Sequence, residues 1–472
     1  MNLIDCLKFI IRPNVGPSTH SINDFFRVTP LMQFIYSTIY FPPSTNSYIR
    51  RIYFLPTFAP LFAFLEISYP MPATINHILS ERVQSLSESE TLKMARMARE
   101  LRALGHDVIS LSLGEPDFDT PEHIKEAAYQ ALKDGYTKYT PVPGLPELLK
   151  AISEKFKRDN QLDYAPEQIV VSNGAKQTVY NLCQALLNPG DEAILFAPYW
   201  VSYLEIVKMA GGIPVEVFAG VEEDFKPTPE QLAAAITPHT KFLIFSSPCN
   251  PTGTVFTRKE LEAYAAVLAQ HPHVYVISDE IYEYINFTHE HVSIGSIPAL
   301  KDRTITINGY AKGFAMTGWR LGYMGAPKFI ADACAKIQGQ VTSGASSFGQ
   351  KAGAIALMSD MTPTETMREA FRERRDIVLS LLQEIPGIKT NHPDGAFYVF
   401  PDVTAFFGKS DGITTIKNAD DFCDYIMSNA YVGLVSGAAF GDPNSFRLSY
   451  AASEAQLREA ISRMKTVLAK LK

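Results

Sequence analysis

The sequence predicts an α/β protein whose larger part is built on a mostly parallel, seven-stranded sheet. From about residue 118, short β-rich apolar runs alternate with longer helical patterns, the order that parallel strands with helical crossovers require. Four of those runs stop at glycine-bearing, polar or charged residues, which makes one sheet edge chemically distinct. With 472 residues, 46% of them hydrophobic, the chain can also bury a large core divided between two domains.

Along the chain, the expected strands are residues 168–172, 192–196, 214–218, 242–245, 274–278, 304–307 and 321–325. Each is a short apolar run, the length of a buried strand and too short for a helix. The intervening helices are expected at 176–187, 258–270 and 328–338, and two later ones at 364–383 and 453–471.

The chemistry sits in the residues just past the strand ends. The first strand runs into Asn173, Gly174, Ala175 and Lys176, and the backbone N–H groups of the last three, at a helix start, suit an anion. Another runs into Asn250, Pro251, Thr252 and Gly253, and the next ends at Asp279, Glu280 and Tyr282. Past the strand after that lies Lys312. Lys312 is the candidate covalent anchor for an aldehyde-bearing cofactor, because Gly309, Ala311 and Gly313 open space around its amine. Arg320 offers a fixed cation for a phosphate. The plainer alternatives are a surface lysine in a glycine-bearing loop, a helix-capping aspartate, a turn-forming Asn250 and a core Tyr282.

Charge and composition narrow the function. A net charge of −7 without a clustered basic stripe disfavours nucleic acid. Five scattered cysteines suit a reducing cytosol, so a cytoplasmic location is expected. The histidines form no helix-spaced pair with a carboxylate, and no metal is expected. Residues 1–70 are rich in aromatics and prolines and hold no sustained period; we expect a disordered or spurious extension, with Met71 the natural start. The apolar run at 50–65 is too short and proline-broken for a membrane span.

Taken together, eight motifs in order resemble the class I and II aminotransferases, the fold-type I enzymes dependent on pyridoxal phosphate (PLP), and most of all their bacterial aspartate branch. They are Leu113 to Asp117 (Leu-Gly-Glu-Pro-Asp), Lys138 to Thr140, Asn173 to Lys176, Pro198 to Trp200, Asn250 to Gly253, Asp279 to Tyr282, the Lys312 block, and Phe446 to Tyr450 (Phe-Arg-Leu-Ser-Tyr). The resemblance spans about residues 75–470.

It implies that Lys312 anchors PLP and moves the substrate Cα proton, that Asp279 pairs with the pyridine nitrogen, and that Asn250 and Tyr282 reach the phenolic oxygen. Trp200 would stack on the ring. Gly174, Ala175, Lys176 and Arg320 would hold the phosphate, with Tyr139 reaching it from a partner subunit, so that a homodimer is implied. Arg447 and Gly114 would bind the substrate α-carboxylate, and Lys176 the distal one of aspartate or glutamate. The aspartate branch includes members that use prephenate with help from a basic residue near the amino terminus; the stretch 83–90 is acidic and has Ser87 there, which argues against that activity. The expected domains are 118–360 for the large PLP-binding one, and 72–117 with 361–472 for a smaller α/β one. The alternatives are a same-fold aminotransferase for aromatic or other donors, a PLP lyase, and a PLP-binding transcription regulator, for which residues 1–70 supply no helix-turn-helix.

Overall fold

The computed structural model describes residues 78–87, 90–288 and 290–472. Expectations about residues 1–70, the start at Met71 and His289 lie outside them. Arg82–Lys472 forms one compact unit.

All seven expected strands are present: β1 (Ile169–Ser172), β2 (Glu192–Ala197), β3 (Ile213–Phe218), β4 (Thr240–Ser246), β5 (Tyr275–Asp279), β6 (Thr304–Gly309) and β7 (Gly322–Gly325). They form one sheet in the order β1-β7-β6-β5-β4-β2-β3. Six strands share a direction, while β7 runs antiparallel to both neighbours, pairing Gly322 with Gly309 of β6 and with Ser172 of β1. The carboxyl ends of the six and the beginning of β7 therefore lie on one edge. That is why Arg320, which precedes a strand, shares an edge with residues at the far ends of other strands.

Strand periodicity divides the core between the two faces. Ala193 and Leu195 of β2 pack with Val179 and Leu182 of the helix Ala175–Leu186 and with Ile330 and Cys334 of Lys328–Val341. Ile194 and Phe196 point the other way, onto Leu261, Tyr264 and Leu268 of Arg258–Ala269. That helix starts where the sequence says it should: the Thr257 hydroxyl accepts from the Glu260 N–H at 3.3 Å, and the Glu260 carboxylate accepts from the Thr257 N–H at 2.7 Å.

A second apolar core surrounds a small antiparallel sheet ordered Val435–Ser436, Phe446–Ser449, Tyr398–Val399. It draws Phe371 and Val378 from the helix Thr362–Gln383, Phe422 and Ile426 from Ala419–Ala430, and Ile461 and Met464 from Glu454–Leu468. Ile109–Ser110 pairs in parallel with Val432–Gly433, which brings the segment leading to Gly114 beside this sheet.

Candidate active site

Eleven of the twelve residues singled out in the sequence line one crevice of about 350 Å³ at the shared sheet edge. Gly174, Ala175 and Lys176 arrive from β1, Trp200 from β2, Asn250 from β4, Asp279 and Tyr282 from β5, Lys312 from β6 and Arg320 from the start of β7. Arg447 comes from the small sheet and Gly114 from the loop beyond Ser110. The twelfth, Tyr139, is 96% exposed and lines a separate recess with Thr342, Ser346 and Phe348.

The Lys312 amine donates to the Gly114 carbonyl and lies 5.7 Å from the ring centres of both Tyr282 and Phe397. Burial, then the nearby Arg447 charge, pulls its pKa down to about 8, so a sizeable fraction is free base near neutral pH. Asp279 is pushed the other way, up to about 6, chiefly by burial. Its Oδ2 accepts from the Tyr203 hydroxyl at 2.6 Å and its Oδ1 from the Ile281 N–H at 3.2 Å. An amine and a carboxyl with pKa values drawn toward neutrality in one crevice are the usual mark of acid–base work.

Arg447 is 2% exposed. It donates to Asn250 Oδ1 at 3.0 Å and to the Ser112 carbonyl, its guanidinium lies 4.7 Å from the Tyr398 ring centre, and its Nε has no partner. Among the described residues no carboxylate pairs with it. A buried cation held only by neutral acceptors calls for an anion from outside.

At the other end of the crevice, Gly174 caps Ala175–Leu186 with φ 83°. A Cβ there would lie 2.5 Å from Arg320 Nη2, so glycine lets the guanidinium close over the helix start. Arg320 is itself held by the Thr317 carbonyl at 2.9 Å. Lys176 has no carboxylate partner among the described residues; its amine sits 5.0 Å from the Trp200 ring centre, and burial and then Arg320 lower its pKa. The Gly174 N–H is spent on the Ser172 carbonyl at 2.7 Å, so of the three expected N–H donors those of Ala175 and Lys176 remain, and with the cations they fit a phosphate.

One expectation needs correction. Of the small residues around Lys312, only Ala311 lines the crevice. A Cβ at Gly309 would meet Gly322 Cα at 3.0 Å, and one at Gly313 would meet the Tyr284 ring at 2.7 Å. These glycines permit strand and ring packing, and the space around the amine has another origin. The sequence reading also missed Tyr203, Tyr398 and Ser112. Tyr398 shares a 2.6 Å hydrogen bond with Tyr282, yet comes from the small sheet with no local motif to mark it.

Behind Asp279 lies a cluster of metal-ligand type that the histidine spacings did not reveal. Ligand atoms of Glu280, Glu283 and His291 lie within 4.8 Å of one another. The fully buried Lys155 ammonium already pairs with Glu283, and Asn160 donates to Glu283 at 2.7 Å and to Glu280 at 3.1 Å, so the chain supplies a cation itself. Lys155→Met should strand these carboxylates and lower unfolding free energy by about 3–5 kcal/mol, read by urea titration.

The strand order, with a lysine at the ligand edge, is that of the fold-type I PLP-dependent transferases. The chain belongs to the aminotransferase class I and II family, whose model matches residues 106–464. It is 48% identical to the aspartate/prephenate aminotransferase of Cereibacter sphaeroides over 83% of this chain and 99% of that protein. It is 46% identical to the aspartate aminotransferase of Geobacillus stearothermophilus over 82% and 98%. Among solved structures, the aspartate aminotransferase of Rhizobium meliloti superposes with a TM-score of 0.81 at 42% identity, over 84% of this chain and 99% of that one. The chain is thus an aminotransferase. Among the described residues no helix is long and apolar enough to cross a membrane.

Proposed function

We propose that this aminotransferase uses PLP to convert L-aspartate and 2-oxoglutarate to oxaloacetate and L-glutamate. The observation that carries the reading is a half-buried amine of lowered pKa sharing a crevice with a buried arginine that lacks an anion. The names of the relatives support aspartate as donor.

Bound PLP supplies an electron sink that makes the substrate Cα–H acidic. Asp279 would keep the pyridine nitrogen protonated, Asn250 and Tyr282 would serve the phenolic oxygen, and Trp200 would stack on the ring. Asn250 Oδ1 is taken by Arg447, which leaves its NH₂ as the available end. The Ala175 and Lys176 N–H groups with Arg320 would hold the phosphate, Gly174 contributing the close approach of Arg320 to the helix start. Arg447, with Gly114 beside it, takes the α-carboxylate in a bidentate pair, and the unpaired Lys176 takes the distal one. Lys312 Nζ anchors the cofactor and then moves the Cα proton.

In this reading Tyr139, exposed on one chain, completes the phosphate site of a second, so the enzyme is a homodimer. It acts in the cytoplasm, where its buried free thiols Cys183, Cys249, Cys334 and Cys423 stay reduced. Residues 118–360 act as the large domain, and 72–117 with 361–472 as the small one. Substrate that bridges Lys312 and Arg447 draws the two together and excludes water.

The decisive experiment is the absorbance of the purified protein before and after L-aspartate. A shift of the bound-cofactor band to the pyridoxamine form is expected; release of ammonia instead would favour a lyase, and no response to aspartate a different donor. Because the amine reacts as free base, PLP capture by the apo chain should accelerate as pH rises through about 8 and then level off, well below the ordinary 10.5. Stopped-flow absorbance reads this directly.

Prephenate should be a poor acceptor. The Ser87 N–H donates to the Glu205 carboxylate at 3.2 Å, and neither residue brings a basic group to the crevice. Parallel rates with prephenate and 2-oxoglutarate check it.

A further inference from the structure

One buried phenol has no part in the chemistry proposed for the site. Tyr203, in the helix Ser202–Met209, is 1% exposed and sets its ring edge-on to Trp200, with centres 5.5 Å apart. Its hydroxyl meets Asp279 Oδ2 at 2.6 Å, while the Ile281 N–H holds Oδ1. Both carboxylate oxygens are thus tethered, which fixes the plane of the group and leaves its remaining lone pairs for the crevice. We infer that Tyr203 is a positioning residue whose hydroxyl keeps the Asp279 carboxylate ionised and aimed, so that the proton shared with the cofactor ring stays on the nitrogen. This rests on the proposed placement of PLP.

The surroundings make such a donor necessary. Burial disfavours the charged carboxylate, and the neighbouring Glu280 adds to that effect. Lys312 opposes it, and Tyr282 and Cys249 also face the group. Burial and Asp279 itself hold the Tyr203 proton far above its ordinary range, so the phenol remains a donor at every working pH. Without that O–H, Asp279 becomes the stronger base, and the shared proton moves from ring nitrogen to carboxylate.

The test is Tyr203→Phe in holoenzyme loaded with ring-¹⁵N PLP. In the unaltered enzyme the nitrogen resonance should stay in the protonated range between about pH 6 and 9; in the variant it should move toward the neutral-pyridine range. kcat should fall roughly ten- to hundredfold, as when a residue supporting a ligand's orientation is lost, with KM for aspartate nearly unchanged because Arg447 is untouched. A nitrogen signal identical to that of the unaltered enzyme overturns the inference. If the phenylalanine variant does not fold, 3,5-difluorotyrosine at position 203 keeps the shape and strengthens the donor. The acid limb of its activity profile should then move to lower pH, and an unchanged limb overturns the inference equally. Failure of the unaltered chain to take up PLP at all would instead overturn the functional reading.

Discussion

Lys312→Ala should abolish transamination, with a loss of about 10⁴-fold or more, since anchoring and proton transfer both depend on one amine. Steady-state aspartate exchange measures the loss, and the bound-cofactor absorbance band should vanish with it. The fold should be untouched, because the amine's one hydrogen bond is to the Gly114 carbonyl at the open crevice. Lys312→Arg should fail as badly. A guanidinium stays protonated at any working pH, whereas the burial that brings the lysine to about 8 yields a usable free base. Aspartate exchange at the original rate in either variant would sink the proposed mechanism.

Arg447→Met separates function from stability. The buried guanidinium is held by neutral acceptors alone, and an uncompensated buried charge costs several kcal/mol. Methionine removes that cost while filling similar space between Tyr398 and Phe440. The unfolding midpoint should therefore be no lower than that of the original chain. Activity should suffer: loss of a buried, hydrogen-bonded charge pair with the substrate carboxylate should reduce kcat/KM for aspartate roughly 10²–10³-fold. A dicarboxylate inhibitor should raise the melting temperature of the original protein and leave that of the variant unmoved. A variant that melts much lower and still binds the inhibitor would assign Arg447 a structural role.

The part of the site that was legible in sequence is the part that local chain direction determines. Asn250, Asp279 and Lys312 each come at or just past the end of an apolar run, and a parallel sheet puts such positions on one edge whatever the details of packing. Arg320 was legible only as a charge: its place depends on β7 reversing direction, which periodicity does not encode. Tyr203 and Tyr398 were invisible because a tyrosine near a helix start, or within an apolar pair, looks like core until another element is packed against its hydroxyl. Gly309 and Gly313 were misread for the same reason. Proximity to Lys312 along the chain suggested room for a cofactor, whereas the neighbours that need those glycines, Gly322 and Tyr284, come from elsewhere.

The reversal of β7 has a mechanical corollary. Lys312 and Arg320 sit on a single excursion whose two feet, Gly309 and Gly322, are clamped together by the ladder. The covalent hold and the ionic hold on one small molecule are therefore two fingers of the same hand. Lengthening or shortening that excursion by a single residue would displace both grips together, a change that substitutions elsewhere along the edge cannot absorb.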